Sequence, residues 1–237
     1  MYHSIIYIVL GIFDAFAMLL MILKLFMLPV YEYRNKILIF VFIVAIFSYF
    51  MRVVFEMAAF DLPIQYVLFV IFLRVFVKIK LHIASFIAGA GISAYATLQV
   101  CLYYIFDWTN VVDVGILREN SGMYLYMLQI TAIVVAYLLT YLLFRQSKGF
   151  TFILVPPHDF FASENYLSRR NVVLIFSSII SLITISITIL LLYSGKPLNI
   201  LLASIVSLAI SAYFSNWSDK DDIRKAITAY RNRNKNG

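Results

Sequence analysis

A chain of 237 residues that is 63% hydrophobic and 13% charged is too apolar for a water-soluble domain, in which about a quarter of residues carry charge. Its net charge of +7 does not point to nucleic acid, because the basic residues fall between apolar runs, where the positive-inside rule retains them. The single Cys101 excludes an intramolecular disulfide and a CxxC site.

Seven apolar segments follow one another. The first runs from about Ile5 to Leu28 and stops at Pro29. Its leading residues, Met1-Tyr2-His3-Ser4, lack the basic n-region of a cleavable signal peptide, so it is expected to remain as an inserted helix. A loop with Glu32, Arg34 and Lys36 leads to the second segment, Ile37 to Phe55. Glu56 and Asp61 lie in the next loop, and the third segment runs from Leu62 to Val77. The turn Lys78-Ile79-Lys80 precedes the fourth, Leu81 to Phe106. A loop over 107–122 carries Asp107, Asp113, Arg118 and Glu119; the fifth segment is Met123 to Phe144. Arg145, Lys148, Arg169 and Arg170 mark the loop before the sixth, Asn171 to Tyr193. Ser194-Gly195-Lys196-Pro197 turns into the seventh, Leu198 to Phe214, and a tail runs from Ser215 to Gly237.

All 19 basic residues except Arg52, Arg118 and Lys196 fall in alternate connections, the helix ends beside them and the tail. This bias predicts an all-α polytopic membrane protein with seven transmembrane helices, the N-terminus outside and the C-terminus cytoplasmic. Residues 1–214 form the membrane domain and 215–237 a short cytoplasmic tail helix. A six-span arrangement drops one segment and breaks the alternation.

Asp14 lies about ten residues into the first segment, roughly 15 Å deep at 1.5 Å per residue. A charge at that depth normally faces a partner or the bundle interior. Arg52 sits at comparable depth, so an Asp14–Arg52 pair is expected; the alternatives for Arg52 are snorkelling to the interface or pairing with Glu56 one turn away. Arg74, Lys78 and Lys80 are expected to snorkel to headgroups. Gln99 and Gln129 sit toward the same side as Asp14 and Arg52. Together these four outline either a polar ligand cavity or ordinary core hydrogen bonding. The aromatic residues around the outer loops, with Trp108 prominent, form either an interfacial belt or a shallow peptide site.

Three stripes of small residues suggest close helix packing: Ser85, Gly89, Ser93 and Thr97; Ser177, Ser181, Thr184 and Thr188; Ser204, Ser207, Ser211 and Ser215. The other reading of these hydroxyls is the lining of a ligand or ion path. The run Phe150 to Val155 is too short to span and is expected at the interface or under the bundle. His158, Asp159 and Glu164 have no second His or Cys at metal-ligand spacing. Cys101 and His82 lie about 28 Å apart along one helix and cannot act as a nucleophile–base pair. No phosphate loop, GxSxG or HExxH is present. No enzyme activity, cofactor or metal is therefore expected.

In the tail, Ser218 and Asp221 read as a capping box. Ile223, Ala226, Ile227 and Tyr230 recur at helical spacing among Arg224, Lys225, Arg231 and Arg233. This basic amphipathic helix is either a lipid-surface anchor or a coupling element for a cytoplasmic partner.

The polytopic layout, the basic turn Phe76-Val77-Lys78-Ile79-Lys80 and a last span entering a charged helix resemble the membrane sensor region of quorum-sensing histidine kinases of the AgrC type, from low-GC Gram-positive bacteria. The resemblance covers about residues 1–230 and implies recognition of an extracellular peptide. Such kinases continue into a phosphoacceptor helix and an ATP-binding domain, and here no His follows His158. The chain is therefore expected to be a severed sensor region, a stand-alone receptor-like protein or another protein of similar layout, without kinase activity of its own.

Three functions compete on the sequence. One is a non-enzymatic sensor or accessory protein that binds a peptide or lipid-like ligand and signals to a cytoplasmic protein. Another is a transport protein, such as an ABC permease subunit working with an ATPase or a bacteriocin immunity component. The last is a lipid enzyme, against which the scattered outer acids argue.

Overall fold

The computed structural model describes residues 2–109, 111, 122–153, 166–194 and 197–235. Asp113, Arg118, Glu119, His158, Asp159, Glu164 and Lys196 lie outside the described residues.

Among the described residues the chain is all-helical. Its helices are α1 (Tyr2–Leu25), α2 (Arg34–Tyr49), α3 (Ala58–Val75), α4 (Leu81–Trp108), α5 (Met123–Arg145), α6 (Arg169–Ser194) and α7 (Pro197–Lys235). A π-turn, Phe50–Val54, extends α2. Six of these helices are long and apolar enough to cross a membrane, and α6 adds an apolar stretch over Asn171–Ile187. The protein is accordingly a multi-pass membrane protein.

The turns share one device. Met27 (φ 51°), Glu56 (φ 55°), Lys78 (φ 60°) and Ser147 (φ 49°) adopt the left-handed conformation just past a helix. The chain then folds back onto the last helical carbonyls: Leu28 N–H to Leu23 O (2.8 Å), Met57 N–H to Met51 O (2.8 Å), Ile79 N–H to Leu73 O (3.1 Å), Lys148 N–H to Leu143 O (3.1 Å). These bonds satisfy carbonyls that a helix end leaves bare.

The central helix is α4, which packs on α1, α3, α5, α6 and α7. Its small residues explain why. A Cβ on Gly91 would lie 2.2 Å from Ile22 Cγ1 of α1, and one on Gly89 would lie 2.6 Å from Ser181 Cβ of α6. The three hydroxyl stripes converge on this seam: Ser207 Oγ is 2.9 Å from Ser93 Oγ and 3.2 Å from Ser181 Oγ. Of the other stripe residues, Ser177, Ser204, Ser211 and Ser215 are also buried.

At the end of the bundle where α1 finishes, the segment after α5 is tucked in. Phe150 N–H donates to Leu25 O at 2.8 Å. Phe152 is fully buried and meets Phe26 and Phe86 edge to face. Of the two expected placements for this run, residues 150–153 take the one under the bundle. Lys80 departs from expectation: it is 4% exposed rather than reaching outward. It immediately precedes the most enclosed helix, whose first turn also buries His82, Ile83 and Ala84.

The tail is not a separate helix. α7 is unbroken from Pro197 to Lys235. Ser218 lies in its interior, fully buried, so it does not cap a new helix.

Candidate functional site

A polar cluster lies toward the end of the bundle where α1 begins, built by α1, α2 with its π-turn, α3 and α4. Its centre is Asp61, which the sequence placed in a loop. The structure starts α3 at Ala58, one turn before the expected Leu62, and this puts Asp61 on a fully buried face. The carboxylate is well supplied with donors. Arg52 Nε donates to Oδ2. Ser48 Oγ donates to the same oxygen at 2.9 Å, and Gln65 Nε2 donates to Oδ1 at 2.9 Å. The Tyr7 hydroxyl closes the cluster on α1, 3.4 Å from Ser48 Oγ.

The expected Asp14–Arg52 ion pair is not formed; Arg52 pairs with Asp61. The reason is axial register: Gly11 packs on Ala45 and Tyr7 meets Ser48, so Arg52 lies opposite the start of α1, about 15 Å along the axis from Asp14 at 1.5 Å per residue. The guanidinium meets α3, whereas Asp14 is reached from α4, whose Tyr95 hydroxyl donates to Asp14 Oδ1. Asp14 and Arg52 remain within range of each other's charge. Gln99 follows Tyr95 by one turn of α4, the spacing that puts both on one helix face. Tyr137 of α5 approaches from the other side and donates to Phe13 O at 3.1 Å. The structure thus brings Asp14, Arg52 and Gln99 into one region, with two distinct carboxylate centres.

The other expected site residues lie apart. Gln129 is half-buried on α5, and its side chain makes no hydrogen bond with the described residues. Trp108 is 86% exposed at the last residue of α4, about 20 Å along the axis from Tyr95 at 1.5 Å per residue. Reasoning from sequence missed Tyr7, Ser48, Asp61, Gln65 and Tyr95. A usable signal existed for four of the cluster's residues: Ser48/Arg52 and Asp61/Gln65 are both i,i+4 pairs, the spacing at which side chains share a helix face.

At the opposite end of α7, Asp221 forms an i,i+4 ion pair with Lys225 at 2.6 Å. Ile223, Ile227 and Tyr230 are exposed along one face. The helix is tied to the rest of the protein one turn earlier, where Asp219 Oδ1 accepts from the backbone and hydroxyl of Thr151.

Chemically the cluster presents a guanidinium oriented by an enclosed carboxylate, with the Tyr7 hydroxyl nearby. No family model, curated protein or solved structure matches this chain.

Proposed function

We propose that this protein is a non-enzymatic sensor or accessory protein of a bacterial cell membrane. On this reading it has seven spans, with the α1 start outside and the α7 end in the cytoplasm. It binds an extracellular peptide or lipid-like ligand at the Arg52–Asp61 cluster and transmits occupancy through α7 to a cytoplasmic signalling protein. The resemblance to AgrC-type sensor regions supports the same reading.

The observation that carries it is the enclosure of Asp61 at 0% exposure beside an Arg52 side chain that is 41% exposed. An ionisable pair inside a membrane bundle is costly and marks function by default. The route from the cluster to α7 is covalent and hydrogen-bonded. α1 bears Asp14 and ends at Leu25, which holds Phe150; the adjacent Thr151 holds Asp219 of α7. α7 has 39 residues. That is about 58 Å of helix, against a hydrocarbon core of about 30 Å, so its last turns extend beyond the bilayer.

The transport alternative draws on the hydroxyl stripes. Ser207 bonds to both Ser93 and Ser181, and Gly89 leaves no space against Ser181. That closeness favours packing over a conducting path.

Affinity purification of the full chain from its native membrane in mild detergent, with mass spectrometry of what accompanies it, tests the proposal. A histidine kinase or other response protein is the expected companion. A co-purifying ATPase would overturn the sensor reading in favour of transport.

A further inference from the structure

Arg52 offers more donors than the protein uses. Its Nε donates to Asp61, while neither Nη nitrogen has a hydrogen-bond partner among the described residues. A guanidinium carries five N–H donors in one plane, so four remain, on a side chain that is 41% exposed.

The group is also held in place. Ser48 and Gln65 hold Asp61 with one hydrogen bond to each oxygen, and Asp61 fixes the Nε edge of the guanidinium. The π-turn Phe50–Val54 carries Arg52 to the border between the packed and exposed faces of its helix; such turns recur at functional sites. Below Arg52 the exposed face is entirely apolar over Leu38, Ile39, Phe42, Ile43 and Phe50. Phe60 of α3, next in sequence to Asp61, is also exposed.

A fixed donor fork near a helix end, above an apolar stripe, complements a diacyl phospholipid in polarity and length: phosphate on the fork, chains along the stripe. We propose that Arg52 binds the phosphate of a membrane phospholipid whose acyl chains lie along α2, with Asp61 as the residue that positions the guanidinium. This rests on the reading that the cluster is the ligand site, and it names the ligand class. A peptide carboxylate would fit the same fork, but it would leave the apolar stripe below Arg52 unused, whereas a diacyl lipid engages both. Asp61 offsets the charge of Arg52 and Asp14 lies nearby, so recognition depends on the directed N–H groups more than on net charge.

The test uses the full chain, delipidated in a mild non-ionic detergent, with native mass spectrometry of bound adducts. Dioleoyl phosphatidylglycerol, dioleoylglycerol, inorganic phosphate and a free-carboxylate tetrapeptide of Leu and Phe are titrated separately. Wild type is expected to retain one phosphatidylglycerol and no dioleoylglycerol. R52Q should weaken retention by about tenfold, and R52K, which keeps charge but loses the fork, by less. The double variant R52Q/D61N leaves no unpaired buried charge and should bind as weakly as R52Q. Equal retention by wild type and the double variant, or equal retention of dioleoylglycerol, overturns the proposal. So does tighter binding of inorganic phosphate, which would mark a soluble-anion site, or of the tetrapeptide, which would mark a peptide site. The readout is lipid mass alone. Failure here leaves the sensor reading standing, and loss of a co-purifying partner leaves the lipid site standing.

Discussion

Asp219 accepts two hydrogen bonds from Thr151, one from the backbone N–H at 2.9 Å and one from the hydroxyl at 3.2 Å. Sixty-eight residues separate the two. This is where α7 leaves the bundle, so the contact sets the direction of the projecting turns. Asp219→Ala should cost only about 1 kcal/mol of stability, because the bonds are exposed. Its larger effect should be on limited trypsin digestion, with faster cleavage at Arg224 and Lys225. An unchanged digestion rate would show that the contact does not hold the helix.

Removing either member of the Arg52–Asp61 pair should not be equivalent. Arg52→Ala leaves an enclosed carboxylate without its counter-charge, which typically costs about 3–5 kcal/mol. Asp61→Ala leaves a guanidinium that is already 41% exposed and can reach headgroups or water. We expect Arg52→Ala to lower the Tm in detergent clearly more than Asp61→Ala. Equal losses would mean that the guanidinium is as confined as the carboxylate.

The α4–α6 seam predicts a reciprocal rescue. Gly89→Ala places a Cβ 2.6 Å from Ser181 Cβ and should destabilise by about 1–3 kcal/mol through overpacking. Ser181→Gly removes the atom it meets. The double variant should therefore be more stable than the sum of the single effects, with a coupling of about 0.5–3 kcal/mol. Additive losses in thermal melts would place the clash elsewhere.

Lys78 and Ser147 hold left-handed conformations at φ 60° and 49°. For an L-residue with a side chain this costs about 1–2 kcal/mol, and glycine is free of it. Lys78→Gly and Ser147→Gly should each raise the Tm or leave it unchanged, since added freedom in the unfolded chain offsets part of the gain. A clear fall in Tm for both would show that the side chains, not the turn geometry, stabilise these ends.

The extent and order of the helices were legible in the sequence, because both depend on local composition. Long apolar runs satisfy their backbone polar groups only as helices in lipid, and every expected segment overlaps an observed helix. The small-residue stripes were legible for the same reason: i,i+4 spacing defines a helix face before any partner is known. Tertiary structure decided which faces meet. Counting residues from uncertain segment ends made Asp14 and Arg52 look like neighbours. The register between α1 and α2 is set by packing, Gly11 on Ala45 and Tyr7 against Ser48, and there Arg52 found Asp61 while Asp14 found Tyr95. The early start of α3 was hidden too, because the acidic Asp61 read locally as a loop residue. Only burial against Ser48, Arg52 and Gln65 makes a helical turn with a charged residue favourable there.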